Sequence, residues 1–373
     1  MTDGIYFNMD EATYHGLPRL SSSGIKQILI SLPTFWAKSN MNPYHENLDD
    51  DSTARILGRA YHTAIFEPEL MSDRFVRDVD PADFPDALMT DAAVKSQLKE
   101  LGETQTKAGE GADERADRLI GAGYDGEIWS VIKARAEENR ANRTAISPKY
   151  WDQIQTDLKR IADNPQVNSM ITGGAAEVSV LWTCPESGIP MKARIDKLKA
   201  DRILDLKSFA NPQGKPVMQA ILDQIKYNRY YIQARLYQVA VSMMRDLDLQ
   251  IMDDDSKDDL VASIKDRHTP HDFWFFFQEK NGVPNLLCRQ IMLQTYPDGV
   301  IDQSIGAEAS LDKVRTIETV ISRKADVEIG RAKQLYNQAM AAYGPDQIWY
   351  PFDTIGHITD DDFSIYWLDE MPR

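Results

Sequence analysis

Cysteine is nearly missing from this 373-residue chain, which has only Cys184 and Cys288. That scarcity excludes a disulfide framework, a four-cysteine zinc site and an iron-sulfur cluster held by four thiolates. The two thiols are expected to be buried or idle. Long apolar runs are missing too. No stretch approaches the roughly 20 consecutive apolar residues of a membrane span, and Met1-Thr2-Asp3-Gly4 leads into no basic region followed by an apolar segment, so the protein is expected in the cytoplasm, away from membranes. There is no internal repeat and no glycine-rich phosphate loop.

Basic charge is in deficit: 42 Lys and Arg against 58 Asp and Glu leave a formal net charge of -16. Taken whole, this argues against a polyanionic ligand. The distribution tempers the argument. Acids bunch at Glu46 to Asp51, at Asp253 to Asp255 with Asp258-Asp259, and at Asp360 to Asp362. Residues 192 to 215 run the other way, with seven bases (Lys192, Arg194, Lys197, Lys199, Arg202, Lys207, Lys215) against three acids. Such a run is either a solvated face or a phosphate-binding surface.

A 42% apolar fraction supplies a core. Ser21 to Gly24 reads as a helix cap leading into Ile25, Ile28 and Leu29, with Pro33 as the stop. Apolar residues from Arg55 to Glu67 recur at helical spacing and end at Pro68. Residues 80 to 145 are charged, weakly periodic and interrupted by glycines, which predicts a mobile helical insertion. A helix opens at Ser147-Pro148. Strands are predicted over Glu177 to Trp182, Met191 to Leu198 and Ile203 to Phe209, then a long helix over about Val217 to Leu247. Two further strands, Phe273 to Gln278 and Leu286 to Leu293, precede a helical region from about Ser310 to Tyr343. Helices around a mixed sheet make an α/β or α+β domain, here one domain over 1–373 with the insertion inside it. The run Phe273 to Phe277 reads as a buried central strand rather than a base-stacking platform.

The chemistry concentrates in Met191 to Ser208. Alternation along the third strand puts Asp205 and Lys207 on one face with Ile203 and Phe209. A two-residue turn at Ala200-Asp201 pairs 199 with 202 and, counting back, sets Asp196 opposite Asp205. Opposed like charges are destabilising, so a cation is expected between them. Paired carboxylates with spare water positions hold hard divalent cations against phosphate, and an adjacent lysine can position water or steady the phosphoryl group. Asp-x-Lys alone is common in exposed hairpins. The second aspartate, together with Glu177 at the start of the preceding strand, tips the balance towards a site.

At this point the sequence resembles the PD-(D/E)xK nucleases, and within them the exodeoxyribonuclease VIII (RecE-like) and RecB-like branch. Gly58-Arg-Ala-Tyr-His62 is similar to that group's Gly-x-x-x-His helix. Ala193-Arg-Ile-Asp196 matches its Gly-x-x-Asp strand with Ala for Gly, Asp205-Leu-Lys207 its Asp-x-Lys element, and Gln233-Ala-Arg-Leu-Tyr237 its Gln-x-x-x-Tyr helix. The similarity extends to the Gly4-Ile-Tyr opening, Tyr14-His15 and Ser21 to Gly24, and leaves residues 80 to 145 uncovered. It implies a PD-(D/E)xK restriction-endonuclease-like core with a central mixed sheet flanked by helices. It implies a metal held by His62, Asp196, Asp205 and the carbonyl of Leu206, with Lys207 as catalytic partner; Glu177, read from its place at a strand start, is either a member of the site or an ordinary edge residue. Gln233 and Tyr237 would shape the site or touch DNA. Magnesium is the implied ion, with manganese able to substitute.

The implied activity is exonucleolytic hydrolysis from double-stranded DNA ends, 5′ to 3′, by a ring-like homo-oligomer (tetramer or trimer). It would serve phage or prophage recombination beside a single-strand annealing protein. A structure-specific or single-strand endonuclease of the same fold, and a silent DNA-binding or DNA-mimicking protein, are the alternatives. His62 on its own could equally be a surface histidine, and Gln233 and Tyr237 a packing stripe.

Overall fold

A computed structural model describes residues 1–45, 52–267, 269–280, 285–295 and 317–352. The acidic runs at 46–51 and 360–362, His268 and the predicted start of the last helix near 310 lie outside these. A six-stranded sheet organises the chain, formed by β1 (Gly4–Tyr6), β2 (Ala175–Thr183), β3 (Pro190–Leu198), β4 (Arg202–Phe209), β5 (Asp272–Glu279) and β6 (Leu286–Ile291), which lie side by side in that order. Every neighbouring pair is antiparallel except β4 and β5, which are parallel. A parallel step needs a crossover of a dozen or more residues, which the segment between β4 and β5 provides with two long helices and a short third, Asp258–Lys265. The long ones come first. These are α4 (Val217–Tyr227) and α5 (Tyr230–Asp246), following α1 (Ser22–Ile28), α2 (Thr53–Phe66) and α3 (Pro148–Asp163) in the chain and preceding α6 (Val320–Tyr343).

The two sheet faces are buried separately. On one face α1, α4, α5 and α6 cover Ile203, Phe209, Phe273, Phe275 and Phe277, and on the other α2 and α3 cover Leu204 and Phe276. The side-chain alternation expected for β4 is therefore observed, and the aromatic run on β5 is a central strand buried on both sides. α2 turns Leu57, Ala60, Tyr61, Ala64 and Ile65 inward, and Tyr61 donates a 3.0 Å hydrogen bond to Asp157 of α3. This clamp fixes the rotation of α2 and hence the direction of His62.

Local expectations fail in two places. Pro33 does not simply stop a helix; it sits in the first turn of the next one, Leu32–Lys38, where its missing N–H is no loss. The long helix expected over 217–247 is two helices, broken at Asn228-Arg229 with Arg229 in the left-handed region (φ +50°). Residues 80–145 do carry helices, Asp91–Glu100, Ala112–Gly121 and Trp129–Arg140, around a small core of Val94, Leu98, Ala116, Leu119 and Ile128. Among the described residues no helix is long and apolar enough to cross a membrane.

Candidate active site

Three acidic residues stand at one level across three adjacent strands, and the backbone ladder is interrupted there. Between β2 and β3, Ala176 pairs with Lys197 and Val178 with Ile195, but Glu177 and Asp196, which face each other between them, are skipped. Glu177 has φ +53°, which turns its peptide out of the ladder. Between β3 and β4 the turn forms as expected, with Lys199 N donating to Arg202 O at 2.9 Å. Pairing covers Lys197–Leu204 and Leu198–Ile203, and stops before Asp196 would face Asp205. There Asp196 Oδ2 accepts the Leu206 N–H at 3.0 Å, a side chain replacing the missing backbone acceptor. The strands part where the carboxylates meet.

The side chains reach this opening from both faces. From α2, His62 Nε2 lies 3.0 Å from Glu177 Oε1 and 3.5 Å from Asp196 Oδ2, and His62 Nδ1 lies 4.0 Å from Glu67 Oε2. Arg74 Nη1 donates to Glu67 at 2.9 Å, and Arg194 donates to the second oxygen of Glu177. From α5, Gln233 Nε2 donates to Asp205 Oδ1 at 2.7 Å and to the Tyr237 hydroxyl at 3.1 Å. Lys207 Nζ stands 2.6 Å from Asp205 Oδ2. Each of the opposed aspartates meets its own basic group, Lys207 at Asp205 and His62 at Asp196. Gln233 and Tyr237 are buried behind Asp205 and hold it.

Burial pushes the Asp205 carboxyl up, and the neighbouring Asp196 charge adds to this, to about 7. Asp196 moves the other way: burial opposes its ionisation, but His62, Lys207 and the Leu206 N–H hold it below its ordinary value. Burial works against the His62 imidazolium, yet Asp196, Glu177 and Glu67 outweigh it and raise the group to about 9. Glu177 is raised by burial. Lys207 stays firmly cationic because Asp205 and Asp196 overcome its burial.

His62 Nε2 and Asp205 Oδ2 are buried without a well-directed hydrogen bond, and ligand atoms of His62, Glu67 and Glu177 all lie within 4.8 Å of one another. Carboxylates and one imidazole converging on one opening are a donor set that fits a hard divalent cation. Of the ligands implied by resemblance, His62 and Asp196 are together. Asp205 is on the adjoining strand with both oxygens facing Gln233 and Lys207, and Leu206 meets Asp196 through its N–H.

Sequence reasoning missed Glu67, whose one signal was its place at the end of the His62 helix. It also missed Lys26 and Tyr230: Lys207 Nζ and Lys26 Nζ each lie 5.2 Å from the centroid of the Tyr230 ring. Burial and the charge of Lys207 bring Lys26 down to about 8. The basic stretch after 192 needs a correction, because it is neither a solvated face nor a free phosphate surface. Lys192 donates to the carbonyls of Tyr14, His15 and Leu17, Lys197 to Phe66 O and Lys199 to Ser169 O and Thr172 O. Arg194 and Arg202 are engaged by Glu177 and Asp201.

A mixed sheet with Asp, Asp-x-Lys and a helix-borne histidine around one opening is the arrangement of the PD-(D/E)xK nuclease superfamily. The profile of the family described as "PDDEXK-like domain of unknown function (DUF3799)" matches residues 21–252, and the chain belongs to that family. Among solved structures it is similar to a crystal structure from Eubacterium rectale called "Putative exonuclease", with 14% identity over 88% of this chain and 87% of that one and a TM-score of 0.41. No curated protein matches the chain.

Proposed function

We propose that this chain is a magnesium-dependent exodeoxyribonuclease of the RecE-like branch, hydrolysing phosphodiester bonds from double-stranded DNA ends, 5′ to 3′. The observation that carries the reading is the single level of Glu177, Asp196 and Asp205, where the ladder opens and Lys207 caps Asp205. A bound magnesium or manganese ion would polarise the phosphoryl oxygen and acidify water. His62, Asp196, Asp205 and Glu177 would hold it, with Glu67 behind His62. Lys207 offers a buried positive charge where negative charge develops on phosphate oxygens. Gln233 and Tyr237 keep the Asp205 carboxyl from rotating. End dependence, a ring-like homo-oligomer and a single-strand annealing partner belong to the same proposal and rest on the resemblance.

The direct test incubates the protein with magnesium and either linear or covalently closed circular duplex. Linear DNA should be degraded and closed circles should survive. Comparable loss of circles would make the protein an endonuclease of this fold.

The protonation pattern gives a second expectation. Asp205 (about 7) and His62 (about 9) carry protons near neutrality that a cation must displace. Metal affinity should therefore rise with pH from about 6 to about 9, by up to roughly tenfold per unit for each proton released. Titration calorimetry with manganese in two buffers of different ionisation heat measures the release directly. An affinity flat across this range, with no proton release, would remove both groups from the metal site.

A further inference from the structure

With Lys192, Arg194, Lys197, Lys199 and Arg202 engaged by other groups of the chain, a second group of cations, near Tyr230, is a candidate to meet a polyanion. Lys26 feels the Asp205 charge without a close ion pair among the described residues and shares the Tyr230 ring with Lys207, which places it beside the catalytic level. Next to Tyr230 is Arg229, whose left-handed backbone sets it between α4 and α5. Arg229 lines a cavity of about 470 Å³ whose opposite wall is α6, with Arg323, Lys324, Glu328 and Arg331. Glu328 is occupied internally, accepting from the Tyr231 hydroxyl at 3.0 Å and pairing with Lys324 at 2.6 Å. Arg229, Arg323 and Arg331 keep their guanidinium groups without an acidic partner among the described residues.

On α6 the residues facing the cavity, from Val320 through Arg323, Lys324 and Val327 to Arg331, recur at three- and four-residue spacing and so form one stripe. From Val320 to Arg331 the helix rises about 16 Å, roughly the axial rise of five base pairs. Val320, at the start of the stripe, and Val327, between Lys324 and Arg331, are 74% and 71% exposed.

We propose that this stripe is the track for the sugar–phosphate backbone of the DNA strand engaged at Asp205 and Lys207, with Lys26 and Tyr230 joining track and catalytic centre. The inference rests on the nuclease reading above and adds the surface that holds the substrate. Guanidinium groups take phosphate oxygens in paired hydrogen bonds, and the exposed valines beside them suit the apolar face of deoxyribose. In a chain of net charge -16, a cationic strip reached from the catalytic lysine through Tyr230 and Arg229 also favours one approach for the polyanion.

The test uses the full chain with Arg323→Ala and Arg331→Ala combined. A fluorescein-labelled duplex is titrated in calcium by anisotropy at several salt concentrations, and the same duplex is cleaved in magnesium. Affinity should fall roughly tenfold or more near 0.1 M salt, and the salt slope should drop by about two, one for each lost phosphate contact. KM should rise accordingly, with kcat at saturating DNA within about twofold. Lys133→Ala, on the Trp129–Arg140 helix, should leave all of these unchanged. Wild-type affinity and salt slope in the double variant would overturn the track while leaving the nuclease reading intact. So would a changed subunit number by light scattering, which would assign the stripe to a subunit contact. A wild-type protein that neither binds nor cuts any DNA would overturn both readings.

Discussion

Lys207→Ala should lower magnesium-supported DNA hydrolysis by roughly 10²- to 10³-fold or more in a protein that remains folded. The ammonium group is 2.6 Å from Asp205 Oδ2 on one side and faces the Tyr230 ring on the other. Removing it takes away the charge that keeps Asp205 from rising further above about 7. Below that raised value the carboxyl is protonated, so the fold is spared a bare buried charge. Activity is not spared, because a neutral carboxyl is a poor ligand and no cation faces the phosphate at that point. Arginine at 207 should restore little, since a planar fork cannot take the place of a compact ammonium group in a buried slot. End-labelled duplex assays, with circular dichroism to verify folding, decide the matter. A folded variant within tenfold of wild-type activity would exclude Lys207 from the chemistry.

The other large effect is on stability. Lys192→Met should destabilise the protein by about 2–4 kcal/mol. Its ammonium group is buried under the 14–17 segment and donates at 2.8, 3.1 and 2.9 Å to the carbonyls of Tyr14, His15 and Leu17. It also lies 4.8 Å from the Tyr14 ring centroid. Methionine fills the space but leaves three acceptors without a donor; two of the three bonds are partly open to water, which recovers some of the loss. Denaturant unfolding of the full chain measures the difference. A change under about 1 kcal/mol would mean that the N-terminal segment is anchored elsewhere. The folded fraction should bind DNA as tightly as wild type, contrary to what a phosphate-facing Lys192 would give.

Much of the core architecture was legible because it is written in local pattern. Alternation on β4, the Ala200-Asp201 turn that sets its register, and the apolar run of β5 each need only neighbouring residues to be read. His62, Asp196, Asp205, Lys207, Gln233 and Tyr237 were legible through motif order, and their gathering from two faces of the sheet follows from those strands. What escaped depends on tertiary context. The break at Asn228-Arg229 carries neither glycine nor proline, so nothing in composition marks a left-handed residue there. The charges of Lys192, Lys197 and Lys199 look like a surface in one dimension, and only the chain folded over them turns them into internal donors. Glu67 and Lys26 belong to no periodic pattern and enter the site only because α2 and α1 end beside it.

The left-handed backbone at Glu177 bears on how this position tolerates change. A non-glycine residue with φ +53° carries a conformational penalty of about 1–2 kcal/mol. Glycine would relieve it, and asparagine would lessen it. The substitutions that ease the backbone are thus ones without a carboxylate. Glutamate here trades backbone energy for a carboxylate beside His62, and a stability-guided redesign that relaxed the position would gain robustness while erasing the acid that touches His62.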